Sequence, residues 1–220
     1  MLVQALLVAH IAVLGYWLGA ELVINSTYRY VSWSAAMPFP ERDRLMQHVM
    51  DVDQHVRYAL VLQTGLGTAL AALLGYVPGG APLTLAAAAL SLAWLALVEA
   101  AHRVRNTPAG RGLAALDRAV RYLAIAALLG LGGAAALGEI DLPRWLAWKL
   151  VLFAGVIACG VGIRVALIAF FREWGKFARE GSSPALEQRV RRACFRATTV
   201  LAGLWLLIGA IVGLSVLKPG

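Results

Sequence analysis

The chain is dominated by long apolar runs that are separated by short polar breaks. Each run is continuously hydrophobic, without the period of two expected for a strand, and is long enough to cross a bilayer, which takes about 20 residues. Lipid offers backbone groups no hydrogen-bond partners, so such runs must be helices. The pattern predicts an all-α integral membrane bundle of six transmembrane helices over Leu2–Ile24, His55–Tyr76, Leu83–His102, Leu116–Gly138, Leu142–Phe171 and Arg192–Leu217.

The connection between the first two spans is long and predicts further helix. Pro40 suits the first turn of a helix and Glu41 suits its positive N-terminal end, so we expect a helix that starts at Glu41 and continues into the second span. Residues 25–54 are therefore predicted as a cytoplasmic helical segment. The whole chain, residues 1–220, is predicted to be a single transmembrane domain.

Composition and charge agree with a membrane protein. The chain is 60% hydrophobic and 15% charged, whereas a soluble domain is about one quarter charged. Its net charge is +8, and its basic residues cluster in the loops after the first, third and fifth spans. The positive-inside bias predicts that these loops are cytoplasmic and that both termini lie outside, in the periplasm. We expect a multi-pass protein of a bacterial-type inner (plasma) membrane, with the bilayer as partner and no nucleic acid.

Three unusual residues share one face of the first span. Trp17 and Glu21 lie seven and eleven positions after His10, which at 100° per residue brings all three to the same side of a helix. A buried ionisable group in a membrane predicts a functional site. Two interpretations of His10 stay open, a cofactor or metal ligand and a side chain that hydrogen-bonds a neighbouring helix.

The fifth span carries a lysine near its outer end. Lys149 and His10 both lie roughly 10 Å below the outer surface if each helix rises about 1.5 Å per residue. They can therefore meet if the first and fifth helices are neighbours. The alternative is that Lys149 extends outward to the lipid headgroups.

A second polar group is predicted at the inner boundary of the bilayer. Glu99 and His102 are three residues apart on one helix face, which is a ligand spacing of di-iron bundles. A haem or metal site and a solvated network of ion pairs are both compatible with the pattern. The group contains Glu21, His55, Glu99, His102 and Arg164, together with His48 and Asp51, which share a face with His55.

Short motifs in this chain resemble those of the HemJ-type protoporphyrinogen oxidases and the related CopD-type copper-resistance membrane proteins. The first motif is His10 followed by "IAVLGY" and Trp17, and the second is the Trp-Leu-x-x-Lys-Leu segment from Trp145 to Leu150. The stretch "LQTGLG" at 62–67 is similar to a Thr-Gly step in a CopD-type span. HemJ-type proteins are shorter and have fewer spans, so the extra hairpin and the long 25–55 segment are closer to the CopD type.

The resemblance implies that His10 ligates the iron of haem b. It also implies that Lys149 takes part in the reaction as a catalytic residue or holds an acidic group of the porphyrin, with Trp17 beside the cofactor. If His55 and His102 face each other, they could hold a second haem and create a transmembrane electron path. The predicted function is a haem b-binding membrane redox protein, either an oxidoreductase or an electron carrier.

Two other functions stay open at the level of the sequence. The first is transport or handling of copper, iron or another metal through His48, His55 or Glu99. The second is a structural subunit of a larger membrane complex, because small residues allow close helix packing. A quinone, a porphyrin or a redox protein is a possible partner of the haem protein, and oligomerisation is possible.

Overall fold

A computed structural model describes residues 1–219 and shows only helices and connecting turns in that range. Six of the helices are long and apolar enough to cross a membrane, which confirms the predicted all-α membrane fold. The seven helices are α1 (Leu2–Trp33), α2 (Phe39–Leu73), α3 (Gly80–Arg103), α4 (Pro108–Ala136), α5 (Arg144–Trp174), α6 (Phe177–Glu180) and α7 (Pro184–Leu217).

Several helices continue beyond the predicted apolar spans. Helix α1 extends past Ile24 to Trp33, and α7 begins at Pro184, eight residues before Arg192. The start of α7 follows from its sequence, because the Ser183 hydroxyl accepts a hydrogen bond from the Leu186 amide at 3.3 Å and proline occupies the first helical position. Helix α2 begins two residues before the predicted start at Glu41 and runs unbroken to Leu73.

The chain divides into two compact units. The first consists of Met1–Ile24 and Met50–Arg121, and the second of Asn25–Val49 and Tyr122–Gly220. Helices α1, α2 and α4 contribute residues to both units. The prediction of a single transmembrane domain stays a prediction.

Within the first unit, α2 and α3 are joined by a tight turn and packed closely. Gly79 and Gly80 adopt positive φ angles of 118° and 42°, which glycine tolerates more easily than other residues. Further along, the missing side chain of Gly65 accommodates the Ser91 hydroxyl, and the Gln54 amide donates to the carbonyl of Val98 at 3.3 Å. These contacts fix the register of α2 against α3.

Within the second unit, small residues bring helices together. Helix α5 packs against α7, where a methyl group on Gly155 would lie 3.1 Å from Leu207. Helix α4 approaches α5 at Gly132, where a methyl group would lie 2.8 Å from the carbonyl oxygen of Ala147. Close backbone approach at small residues is a usual means of helix association in membranes.

Much of the apolar surface faces outward. Leu85 and Leu90 of α3 are each 71% exposed, and only 11% of the most apolar stretch of α3 is buried. Contiguous apolar surface of this extent is costly in water, whereas lipid acyl chains cover it. The exposed leucines support the assignment of the chain as a multi-pass membrane protein.

Candidate functional site

His10 lies half-buried on α1 against the Thr-Gly stretch of α2. The Gln63 side-chain amide donates a hydrogen bond to the His10 carbonyl oxygen at 3.1 Å. A methyl group on Gly67 would lie 3.5 Å from the His10 Cε1 atom, so the imidazole is alongside this glycine. The stretch 62–67, which the sequence singled out, therefore provides the α2 surface that contacts His10.

The side-chain oxygen of Gln63 has no hydrogen-bond partner in this contact. The Oε1 atom of Gln63 is buried and accepts no hydrogen bond from the part of the chain that the structure describes. A buried acceptor usually has a partner. Gln63 therefore offers an acceptor to a donor close to His10.

Trp17 and Glu21 lie buried on α1. Their exposed fractions are 3% and 6%, and the Trp17 indole nitrogen donates to a Glu21 carboxylate oxygen at 3.4 Å. Within the first unit no basic nitrogen lies within 4.0 Å of the Glu21 carboxylate. The pair therefore has the inward orientation that the helical spacing predicts, and its hydrogen bond connects residues of the same helix.

His55 belongs to a hydrogen-bonded network at the surface of the first unit. The Tyr16 hydroxyl and the Nδ1 atom of His55 share a hydrogen bond, and the imidazole packs edge-on against Tyr16 and Tyr58, with ring centroids 5.8 and 6.2 Å apart. The Tyr58 hydroxyl donates to Glu99, which also accepts from the guanidinium of Arg103. These hydrogen bonds are compatible with the solvated network, and the choice between that network and a haem or metal site stays a prediction.

His102 and Asp51 meet a common arginine. The Arg105 guanidinium lies 3.3 Å from the ring nitrogens of His102 and 3.5 Å from an Asp51 carboxylate oxygen. His48 is exposed and belongs to the second unit. His48, Asp51 and His55 all lie on the unbroken helix α2, and their joint role as a site stays a prediction.

Sequence reasoning missed a set of buried charges in the first unit. Asp117 of α4 is 3% exposed and accepts hydrogen bonds from the Trp94 indole at 2.9 Å and from Arg121 at 3.0 Å. On α2, Asp53 binds Arg57 at 2.6 Å, and Arg57 also interacts electrostatically with Asp117. The available signal was the spacing, since both ion pairs join residues four apart in helices.

Lys149 occupies the first turns of α5 in the second unit. It is half-buried, and Lys218 lies within electrostatic range of its ammonium group. Lys218 also lies 5.5 Å from the centre of the Trp145 ring, so it is at the same end of α5. His10 belongs to the first unit, and its predicted meeting with Lys149 stays a prediction.

The second unit contains a buried arginine that the sequence analysis did not select. Arg42 is 1% exposed, donates from Nη1 and Nη2 to the two carboxylate oxygens of Glu187 at 2.6 and 3.1 Å, and donates from Nε to the Val31 carbonyl. Its guanidinium lies 5.1 Å from the ring centre of Trp174 and 4.8 Å from that of Phe177. Three N–H groups of the guanidinium are thus hydrogen-bonded, and the nearby aromatic rings stabilise its charge further.

The carboxyl group of this pair is electrostatically perturbed. Glu187 lies outside the predicted sixth span, which begins at Arg192. Burial raises the pKa of the Glu187 carboxyl, but hydrogen bonds from Arg42 and Ser182 outweigh burial and hold that pKa below its ordinary value. The Glu187 carboxyl therefore stays ionised at neutral pH.

The described part of the chain contains no preformed metal site made of several side chains. Within residues 1–219, no group of three or more histidine, cysteine, aspartate or glutamate side chains is arranged to hold a metal ion. A haem needs only one or two such ligands from the protein. The haem and metal assignments of individual residues therefore stay predictions.

Comparison with protein-family models, curated proteins and solved structures finds no significant match to this chain. The resemblance to HemJ-type and CopD-type proteins is carried by the short motifs around His10, Gly67 and Lys149 alone.

Proposed function

We propose that this protein is a membrane redox protein that binds haem b through His10. The observation that carries the proposal is the contact of the His10 imidazole with Gly67 of α2, one turn after Gln63, whose amide binds the His10 carbonyl oxygen. We further propose that it resides in a bacterial-type plasma membrane with both termini outside.

The residues around His10 fit a haem ligand. Imidazole is a common axial ligand of haem iron. Ligating histidines usually donate their other ring N–H to an acceptor, which fixes the orientation of the ring. Gln63 on the adjacent helix carries a buried acceptor, Oε1, that no hydrogen bond from residues 1–219 engages, and Gly67 lies in van der Waals range of the ring.

One haem at His10 is a simpler proposal than two. His55 is engaged by Tyr16 and His102 by Arg105, so both imidazoles already have partners in the surface network. A bound haem b supplies a one-electron iron couple. If His10 were its one strong protein ligand, a bound haem would favour catalysis or ligand binding over simple electron transfer.

Lys149 has a supporting role in this proposal. A cation beside a porphyrin propionate lowers the cost of burying that carboxylate. The resemblance assigns this role to Lys149, and we propose that a quinone, a porphyrin or a redox protein exchanges electrons with the bound haem. Trp17 lies on the same face of α1, seven residues after His10, and would line the cofactor site.

An optical spectrum tests the proposal. Wild-type protein expressed with haem available and purified in detergent should show a Soret band, and His10→Ala should lose it. His48→Ala is the matched control, because His48 is an exposed histidine of the second unit. Gln63→Leu should retain haem but lower its occupancy and shift the reduction midpoint, since the ligand loses its acceptor.

Two results would overturn the proposal. The first is wild-type protein without haem under these conditions, and the second is a His10→Ala protein with an unchanged spectrum. Bound copper or iron without a Soret band would instead favour the metal-handling function.

A further inference from the structure

The first half of α7 presents an exposed face. Its exposed positions recur at spacings of three and four residues, so they form one stripe along the helix. The opposite face is fixed inward, because Val190, Cys194 and Ala197 are buried. The exposed stripe consists of Gln188, Arg189, Arg192, Phe195, Arg196 and Thr199.

Two arginines in the stripe lack an acidic partner. Arg189 binds a carboxylate oxygen of Glu173 at 2.9 Å, and the carboxylate also binds Lys176. For Arg192 and Arg196, no carboxylate of residues 1–219 lies within 4.0 Å. Like charges four residues apart on a helix repel each other, so an external anion bound by both would stabilise this pair.

The stripe changes from cationic to apolar along the helix. Phe195 is 67% exposed between the two arginines, and Leu206 on the same face is 76% exposed. The predicted sixth span begins at Arg192. Guanidinium groups at the start of a span lie at the depth of lipid phosphates, and apolar side chains farther along the span lie beside acyl chains.

We propose that Arg192 and Arg196 form a binding site for the headgroup of an anionic phospholipid, with an acyl chain lying along Phe195 and Leu206. Arginine suits this ligand because its planar guanidinium can donate two parallel hydrogen bonds to phosphate oxygens. The site is independent of any cofactor at His10.

Lipid titration followed by native mass spectrometry tests the site. Delipidated protein in detergent is titrated with phosphatidylglycerol or, separately, with phosphatidylcholine of the same chains. Wild-type protein should bind phosphatidylglycerol preferentially. Arg192→Gln and Arg196→Gln should each weaken that preference about fivefold, and the double variant that carries both should lose more than either single variant. Phe195→Ala should weaken binding of both lipids, because it removes the apolar contact.

The control variant carries Arg111→Gln and Arg144→Gln. These arginines are also exposed, and their loss changes the net charge equally, so this variant should keep the wild-type preference. Equal loss in both double variants would show attraction by net charge and overturn the site. The proposal also fails if the Arg192/Arg196 variant keeps its preference, or if inorganic phosphate at the same concentration displaces the lipid.

Discussion

At the scale of single residues, Arg42 shows how this fold buries a charge. The guanidinium has a bidentate carboxylate, a backbone carbonyl and two aromatic faces around it. A buried cation with complete hydrogen bonding is tolerated, whereas removal of one partner leaves the other charge buried and unpaired. The pair therefore holds the start of α2 against the start of α7.

We expect Arg42→Ala to lower the free energy of unfolding by about 3–5 kcal/mol, since Glu187 would lose its buried partner. Thermal unfolding in detergent, followed by circular dichroism, measures the effect. Arg44→Ala is the control, because Arg44 is exposed two positions away and should change stability by about 0.5 kcal/mol or less. Similar losses in the two variants would show that the buried pair does not stabilise the fold.

The same pair predicts a dependence of stability on pH. The pKa of Glu187 in the folded protein lies below its ordinary value of 4.5. A depressed folded pKa contributes stability that is present above the ordinary value and is lost as the pH falls through the folded value. The unfolding midpoint should therefore decrease below about pH 4.5.

Glu187→Gln tests this assignment. The variant should be less stable at neutral pH, because Arg42 loses its counter-ion, and its unfolding midpoint should vary less with acidification. Glu139→Gln, at an exposed carboxyl, should keep the wild-type profile. A Glu187→Gln profile as steep as the wild type would place the acid sensitivity in other carboxyl groups.

At the scale of helices, two adjacent glycines of α4 have opposite environments. A methyl group on Gly132 would lie 2.8 Å from both the Ala147 carbonyl oxygen and the Val151 Cγ2 atom, while one on Gly133 would meet nothing within 4 Å. Only the first glycine therefore allows α4 and α5 to approach. The second has only the conformational cost of glycine in a helix.

Gly132→Ala should destabilise the protein by about 1–3 kcal/mol, because the added methyl forces the two helices apart. Gly133→Ala should stabilise it by about 0.5–1 kcal/mol through helix propensity. Thermal unfolding of the two variants under the same conditions compares them directly. The packing of α4 on α5 would be refuted if both substitutions stabilised the protein.

The sequence predicted the helices better than their side-chain partners. Continuous apolar runs indicate spans without knowledge of the fold, and Glu41 and Pro40 indicated the start of α2 to within two residues. Arg42 was counted among the charges that set topology, because its partner Glu187 lies 145 positions away. Tyr16 and Tyr58 were missed for a related reason, since a tyrosine in an apolar run looks like a packing residue.

In the candidate site too, the helix face of a residue was predictable, whereas its partners on other helices were not. Helical spacing placed Trp17 and Glu21 on one buried face, which the structure shows. The same spacing grouped His48 with Asp51 and His55, but periodicity does not say which neighbours a helix meets along its length. The hydrogen-bond partners of His55 and Glu99 come from three helices, and only the packed fold brings them together.

At the scale of the whole molecule, residues 1–219 contain six helices that are long and apolar enough to cross a membrane. An even number of crossings predicts that both termini lie on the same side. The distribution of basic residues predicts that this side is the outside. Reporter enzymes fused after Met1 or after Lys218 should both be active only outside, and a reporter inserted at Ser182 should be active only inside. Termini on opposite sides would contradict the six-span topology.

The Arg42–Glu187 pair also has a consequence for the order of biosynthesis. The ribosome adds 145 residues between the two partners, which takes roughly 7 to 29 seconds at typical elongation rates. During that interval the guanidinium lacks the Glu187 carboxylate, although its aromatic neighbours Trp174 and Phe177 precede α7 in the chain. The second unit is therefore completed only when the last helix emerges, and a chain truncated before α7 would leave Arg42 without its counter-ion.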